Sequence, residues 1–295
     1  MKNKILQGDS LAVLKTLDKE SINMCMTSPP YWSLRDYGVD GQLGLETTFN
    51  EYINKLCDIF DEVKRVIRDD GTCWINLGDS YSSGSDKSSY KNSKIPDTGK
   101  PIQRLANKQG LPPKTLCMIP MRFAIEMVNR GWILRNTIIW HKPNCMPTSV
   151  KDRFTVDFEY IFFFSKKKKY YFEQQVEPSL TKGSKSGTWT GDVSEKTGKI
   201  GGYNHSGEQF ITGENRNKRT TWAICPKPFK EAHFAVYPEE LCETPIRAGC
   251  PIGGVVLDPF AGAGTTGVVA KKQGKNSILI ELNPDYCEII KKRLE

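Results

Sequence analysis

Gly253-Gly-Val-Val-Leu-Asp258-Pro-Phe-Ala-Gly262-Ala-Gly264-Thr-Thr-Gly267 is the stretch on which the fold turns. The apolar run Val255–Asp258 reads as a short strand ending in an acid, a glycine turn follows, and a helix begins near Gly264. Glycine lets the backbone come close to a ligand, and the helix N-terminus offers unpaired N–H groups. Seventeen residues beyond Gly264 a second apolar run, Ser277–Glu281, again ends in an acid. A carboxylate there can accept both hydroxyls of an adenosine ribose, as in nucleoside sites at the carboxyl ends of parallel strands.

Gly262, Gly264 and Gly267 also satisfy Gly-x-Gly-x-x-Gly, so a nicotinamide dinucleotide is the rival ligand and an oxidoreductase the rival activity. Asp258 separates the two. An acid at the strand end is awkward beside a pyrophosphate but suits a cation with an α-amino group. S-adenosylmethionine, with a sulfonium, an ammonium and no phosphate, is such a ligand.

Outward from this stretch, short strand-like runs (Ile5–Gln7, Ile22–Thr27, Thr72–Leu77, Ile133–Trp140, Glu159–Ser165) alternate with helix-period stretches. The latter are Ser10–Leu17, Phe49–Arg68, Pro120–Arg130, Pro238–Ala248, Gly264–Gln273 and Pro284–Leu294. Strands alternating with amphipathic helices predict an α/β fold: a doubly wound, mostly parallel, Rossmann-like sheet with helices on both faces.

Two segments break the rhythm. Residues 82–115 hold seven Lys and Arg against two acids, and residues 165–230 hold thirteen against six. Their charges, +5 and +7, exceed the +8 of the whole 295-residue chain and leave the scaffold mildly acidic. Solvated loops are the plain reading of such runs. Interleaved aromatics (Tyr81, Tyr90, Tyr170, Tyr171, Trp189, Tyr203, Trp222) favour arms that meet phosphates and stack on bases. Nine scattered cysteines without Cys-x-x-Cys, and only three histidines, argue for reduced thiols and against a metal centre. No apolar run is long enough to span a membrane, and the N-terminus lacks a secretory pattern, so a cytoplasmic protein, drawn to the nucleoid through DNA, is expected.

The run Ile22–Thr27 leads into Ser28-Pro29-Pro30-Tyr31-Trp32. Consecutive prolines hold the backbone extended and remove two donors. The Pro29 carbonyl and the Ser28 hydroxyl then form a pair of acceptors for one exocyclic amine, and Tyr31 and Trp32 offer flat faces for a base. An aromatic amine is a poor nucleophile because its lone pair is delocalised, and hydrogen bonds from both its hydrogens favour a pyramidal nitrogen. An ordinary proline turn is the alternative, but both motifs sit at strand carboxyl ends, where one fold can join them.

Thr27-Ser-Pro-Pro-Tyr-Trp32 resembles the catalytic motif of the amino-group DNA methyltransferases, and Asp258-Pro-Phe-Ala-Gly-Ala-Gly-Thr-Thr266 their methionine-binding motif. The catalytic motif comes first, the permuted order of the β group. Gln7-Gly-Asp9-Ser, Trp140-His-Lys-Pro-Asn144, Ser149–Arg153 with Glu159-Tyr160, and His233–Pro238 resemble further blocks. The resemblance implies that residues 1–81 and 116–164 form the catalytic half of one methyltransferase domain and 231–295 the cofactor half. Residues 82–115 would be a DNA-contacting insertion and 165–230 the variable target-recognition region. It implies Ser28, Pro29, Pro30 and Tyr31 as the catalytic set. Asp258, Pro259, Phe260, Gly262, Gly264 and Thr265 would surround S-adenosylmethionine, Glu281 would hold its ribose and Asp9 its adenine amine, with no metal.

Expected DNA contacts are Trp32, Lys87, Lys91, Lys94, His141, Lys142, Asn144, Lys166, Lys167, Arg216, Lys218 and Arg219. The partner is duplex DNA with the target base flipped out, in a system where a cognate restriction endonuclease can accompany the enzyme. Transfer would be direct and in line; no Pro-Cys dipeptide exists for covalent cytosine-C5 chemistry. Serine at position 28 leans toward cytosine N4, Asp or Asn there being more typical of adenine N6. An inactive DNA-binding module on the same scaffold is a further alternative, opposed by the intact motifs.

Overall fold

The computed structural model describes residues 3–36, 38–82, 111–179, 215–227 and 236–295. Two compact units emerge, one of residues 1–173 and 220–295, the other Gln174–Arg219.

The larger unit is built on an eight-stranded sheet. In chain order its strands are β1 (Lys4–Gln7), β2 (Ile22–Thr27), β3 (Ile67–Leu77), β4 (Ile133–His141) and β5 (Phe158–Ser165). In the smaller unit β6 (Val176–Pro178) pairs antiparallel with β7 (Asn215–Asn217). β8 (Thr221–Ala223), β9 (Val255–Asp258) and β10 (Asn276–Glu281) complete the large sheet. Its spatial order is β1-β10-β9-β2-β3-β5-β4-β8, and β5 is the strand that runs against the rest. The carboxyl ends of β2, β3, β4, β9 and β10 therefore share one edge, the condition for a site at a reversal of strand order.

Helices α1 (Ser10–Thr16), α2 (Phe49–Val66) and α3 (Ile119–Asn129) cover one face; α4 (Glu239–Gly249), α5 (Thr265–Lys272) and α6 (Pro284–Leu294) lie on the other. The two-residue period of the strands sorts the core. Cys25, Cys73, Ile75 and Leu77 point to the α1–α3 side with Leu14, Tyr52 and Phe123, while Met24, Met26 and Trp74 meet Leu241, Ile246 and Val269. This is the doubly wound Rossmann-like architecture that the alternating pattern predicts.

Helix starts follow capping chemistry. Asp9 accepts from Ala12 N to open α1, Thr48 and Glu51 form a reciprocal capping box on α2, and Asn283 with Pro284 opens α6. One boundary differs from the expectation of a helix running to Arg68. The chain turns extended at Ile67, which pairs with Ile22, and the register then slips before Met24 meets Thr72. Gly71 is required in that irregularity, because a Cβ there would lie 2.2 Å from Ile67 Cγ2 and 2.8 Å from the Asn23 carbonyl.

Candidate active site

Both strand-end motifs open on one cavity of about 750 Å³. Ser28, Pro29, Pro30 and Tyr31 line one part; Pro259, Phe260, Gly262, Thr265 and Glu281 line another, with Asp9 beside them. The sheet makes this meeting possible, since β2 is hydrogen-bonded directly to β9 through Met24–Val256 and Cys25–Leu257.

At the glycine loop, Glu281 accepts from Gly262 N at 2.7 Å with one oxygen and from Asn283 N at 2.9 Å with the other. The carboxylate lines the cavity and has acceptor capacity beyond these two bonds. Burial pushes the Glu281 carboxyl above the usual glutamate range, against backbone donors at Asn283, Gly262 and Leu282. Asp9 caps α1, and the neighbouring Ser10 hydroxyl donates to the Pro259 carbonyl at 2.6 Å, clamping the loop against that helix. The lining residues around the loop, 9–11, 259–265 and 280–286, bring two carboxylates, Asp9 and Glu281, and no Lys or Arg.

Asp258 is placed differently from the expectation of direct ligand contact. It is fully buried, does not line the cavity, and accepts from Thr27 Oγ1 (2.6 Å), Thr266 Oγ1 (2.6 Å), Tyr237 OH (3.0 Å) and Phe260 N (3.0 Å). Burial raises its carboxyl above the ordinary range, and these donors oppose the shift. Its physical role is to join β2, β9 and α5 behind the cavity, while Tyr237 reaches the cavity wall. Gly264 likewise stands behind the wall. It starts α5 at φ +79°, and a Cβ on it would be 3.0 Å from Ile290.

At the proline motif the structure reveals a polar chain that the motif alone does not contain. Asn76 on β3 accepts at Oδ1 from Ser28 Oγ (3.3 Å) and Tyr31 OH (3.1 Å). Its amide nitrogen donates to Glu159 Oε2 (3.0 Å) and to the Tyr160 carbonyl (3.1 Å). The single Tyr31 hydroxyl hydrogen is shared between Asn76 Oδ1 and the nearer Glu159 Oε2 at 2.5 Å, and Lys142 Nζ is bound to Glu159 Oε1. Burial, then the Glu159 carboxylate, holds the Tyr31 phenol well above its ordinary range, so it stays a neutral donor. Gly78 leaves room for the Tyr31 ring: a Cβ there would be 2.6 Å from Tyr31 Cε2.

The expected DNA contacts divide. His141, the last residue of β4, about two-fifths exposed and 3.5 Å from Asp157, and the exposed Asn144 just past it lie at the cavity edge of the sheet. Lys142 turns inward to Glu159 and over the Trp140 ring, so it lines the cavity rather than the surface. Trp32 packs in the core, 8% exposed, edge-on to Phe49, its indole donating to the Glu46 carbonyl at 2.9 Å. Lys166 and Lys167 lie away from the cavity. Antiparallel β5 carries them to the opposite edge of the sheet, where Ser165 pairs with Thr72, and Lys166 binds the Ile67 carbonyl and Asp69. In the smaller unit Arg216 pairs with Glu177 at 2.9 Å, and Lys218 and Arg219 are exposed. Lys87, Lys91 and Lys94 lie outside the described residues. Asn76 was not singled out by sequence reasoning; an Asn within the apolar run Thr72–Leu77 is the signal that could have found it.

Comparison with known proteins gives this geometry a family. The model for N6 and N4 methyltransferases, described as DNA methylase, matches residues 22–292. The type II methyltransferase M.Cfr9I of Citrobacter freundii is 41% identical over 99% of this chain and 87% of its own length. M.SmaI of Serratia marcescens is 40% identical over 99% and 90%. Among solved structures, the PvuII DNA methyltransferase, titled cytosine-N4-specific, shares the fold with a TM-score of 0.66 at 20% identity, covering 99% of this chain and 86% of that one. A putative DNA modification methylase of Thermus thermophilus, solved with S-adenosyl-L-methionine, matches with a TM-score of 0.59 at 22% identity, covering 99% and 94%. With a family match running from β2 into α6 and relatives aligned nearly end to end, the chain belongs to the N6/N4 DNA methylases.

Proposed function

We propose that this chain is a site-specific DNA methyltransferase that moves the methyl group of S-adenosyl-L-methionine to the exocyclic N4 of cytosine in duplex DNA. The observation that carries the reading is the single cavity into which Ser28–Tyr31 and the 259–265 loop both open. Bound there, S-adenosylmethionine supplies an electrophilic methyl on a sulfonium. Among the described residues 9–11, 259–265 and 280–286 that line the cavity's loop side there is no Lys or Arg, which suits a cationic ligand and disfavours a dinucleotide's pyrophosphate.

Glu281 accepts the ribose hydroxyls, Asp9 faces the adenine amine, and Phe260 and Thr265 enclose the ligand beside Gly262. Ser28 Oγ and the Pro29 carbonyl hold the target amine while Tyr31 stacks on the base, which must leave the duplex to reach them. The contribution of these residues is positioning and oriented dipoles, so that nitrogen, methyl and sulfur fall in line. Residues 82–115 and 165–230 supply the phosphate and sequence contacts, and a cognate restriction endonuclease can accompany such an enzyme. Serine at position 28, where a carboxylate or carboxamide is more typical of adenine enzymes, favours cytosine.

The test is to incubate the protein with methyl-labelled cofactor and mixed-sequence duplex DNA, then identify the labelled nucleoside by mass. N4-methylcytosine is expected. N6-methyladenine would move the target base but keep the enzyme class, and label in neither would overturn the reading.

A further inference from the structure

The proline motif supplies acceptors, but a serine hydroxyl can equally donate, and nothing in Ser-Pro-Pro-Tyr itself decides which it does. We infer that Glu159, acting through Asn76, fixes Ser28 as an acceptor and so makes the site select an amino group over an oxo group at the same ring position. This deepens the methyltransferase reading and rests on it.

The argument is an inventory of donors and acceptors. A carboxamide has two donor hydrogens on nitrogen and acceptor lone pairs on oxygen, and either end can face a neighbour. At Asn76 both Nδ2 neighbours, the Glu159 carboxylate and the Tyr160 main-chain carbonyl, can only accept. The amide nitrogen must therefore face them, and Oδ1 must face Ser28 and Tyr31. Oδ1 can only accept, and the Tyr31 oxygen, its own hydrogen directed chiefly to Glu159, is a second acceptor on the same side, so the Ser28 hydroxyl hydrogen is drawn inward. What Ser28 then presents to the cavity is lone pairs. The polarity runs without a break from the Lys142 ammonium to Glu159 Oε1, from Asn76 to Glu159 Oε2, and from Ser28 to Asn76.

Cytosine N4 and adenine N6 each offer two donor hydrogens and complete this chain. Uracil and hypoxanthine place an acceptor oxygen at that position, facing Ser28 lone pairs and the Pro29 carbonyl. In a buried site two opposed acceptors cost far more than a lost contact. Glu159 is a positioning residue in this scheme, since it acts on the substrate only through Asn76. Its position follows from the antiparallel β3–β5 pairing, which brings Leu77 opposite Tyr160 and so places Glu159 beside the end of β3.

The test uses the full chain and duplexes carrying, at the position it methylates, either the natural base or its oxo counterpart: uracil for cytosine, or hypoxanthine should the product prove to be N6-methyladenine. Dissociation constants for the two duplexes give an amine-to-oxo ratio for each variant. The pairing cost of each duplex is common to all variants, so a change in the ratio reports on the site. Wild type should favour the amine; Glu159→Gln, whose amide nitrogen meets Asn76 Nδ2 donor to donor and leaves only the Tyr160 carbonyl holding the carboxamide in place, should lower the ratio by about 10-fold. Glu159→Asp should keep much of the preference, and cofactor affinity should stay within a few-fold in both. Ser28→Ala, which removes only the hydroxyl, should flatten the same ratio and so carries the test should Glu159→Gln lose its fold.

An unchanged ratio in Glu159→Gln or in Ser28→Ala overturns the proposal, even where turnover falls. Failure of wild type to methylate DNA at all would instead overturn the underlying activity, so the two failures are distinct.

Discussion

Thr27 Oγ1, the last side chain of β2 before Ser28, donates to Asp258 Oδ1, the last side chain of β9 before the glycine loop, at 2.6 Å. Both residues are fully buried. The two motifs, 231 positions apart in sequence, are thus joined by one hydrogen bond immediately behind the cavity. Asp258 offers four lone-pair positions to Thr27, Phe260 and the hydrogen-bonded Thr266–Tyr237 pair, which offset part of the cost of its burial.

Thr27→Val keeps the shape and removes one of these donors from a buried carboxylate. A loss of about 1–3 kcal/mol in unfolding free energy is expected, read from the midpoint of chemical denaturation. An unchanged midpoint would mean that Asp258 has already found its satisfaction elsewhere and that the bond does not brace the site.

Glu281 yields a pH prediction with a definite sign. Ribose hydroxyls donate to the ionised carboxylate, so ligand binding favours that form. Burial raises the folded carboxyl above the ordinary glutamate value. Affinity for S-adenosylmethionine should be fully present above that raised value and fall as the pH drops through it, in a window above the usual glutamate range. Glu281→Gln should weaken binding by about tenfold and remove this part of the pH dependence, as measured by calorimetry across the pH series. Retention of the full acid limb in the variant would assign it to another group.

Gly78→Ala tests whether Tyr31 must lie where it does. The added Cβ would meet the ring at 2.6 Å, and the ring cannot swing away without releasing Glu159 and Asn76 from its hydroxyl. Methyl transfer under single-turnover conditions should fall by at least tenfold while cofactor affinity is unchanged, as for Tyr31→Ala. Equal loss of both functions in Tyr31→Ala would place that ring in the cofactor pocket instead.

How much of this was legible in the residues depends on how local each feature is. β2, β9 and α6 begin and end where the apolar runs and caps predict, because their signals are complete within the segment. β6, β7 and β8 have three residues each, too few to show an alternation, and exist because of partners far away, as when Trp222 pairs with Trp140. The site divides the same way. Ser28–Tyr31 and the glycine loop are read from backbone chemistry within a few residues. Asn76 and the role of Glu159 come from strand pairing, which no single segment contains. The charge count likewise could not show that Lys166 and Lys167 stand at the far edge of the sheet: a run of cations does not say which way its strand runs, and β5 runs away from the cavity.

The two glycines of the loop should fail in different ways. Gly262 has φ +51° with open space around its missing Cβ, whereas Gly264 has φ +79° and Ile290 at 3.0 Å. Both alanine variants carry the left-handed backbone penalty of about 1–2 kcal/mol, but only Gly264→Ala must also displace α6 through Ile290. Gly264→Ala should therefore lower the denaturation midpoint more than Gly262→Ala. Gly262 lines the cavity and donates its N–H to Glu281, so its variant should show its larger effect in cofactor affinity. Measuring the midpoint and the dissociation constant on the same two proteins decides it. A Gly264→Ala protein as stable as Gly262→Ala would show that α6 yields freely and that the helix does not hold the loop in place.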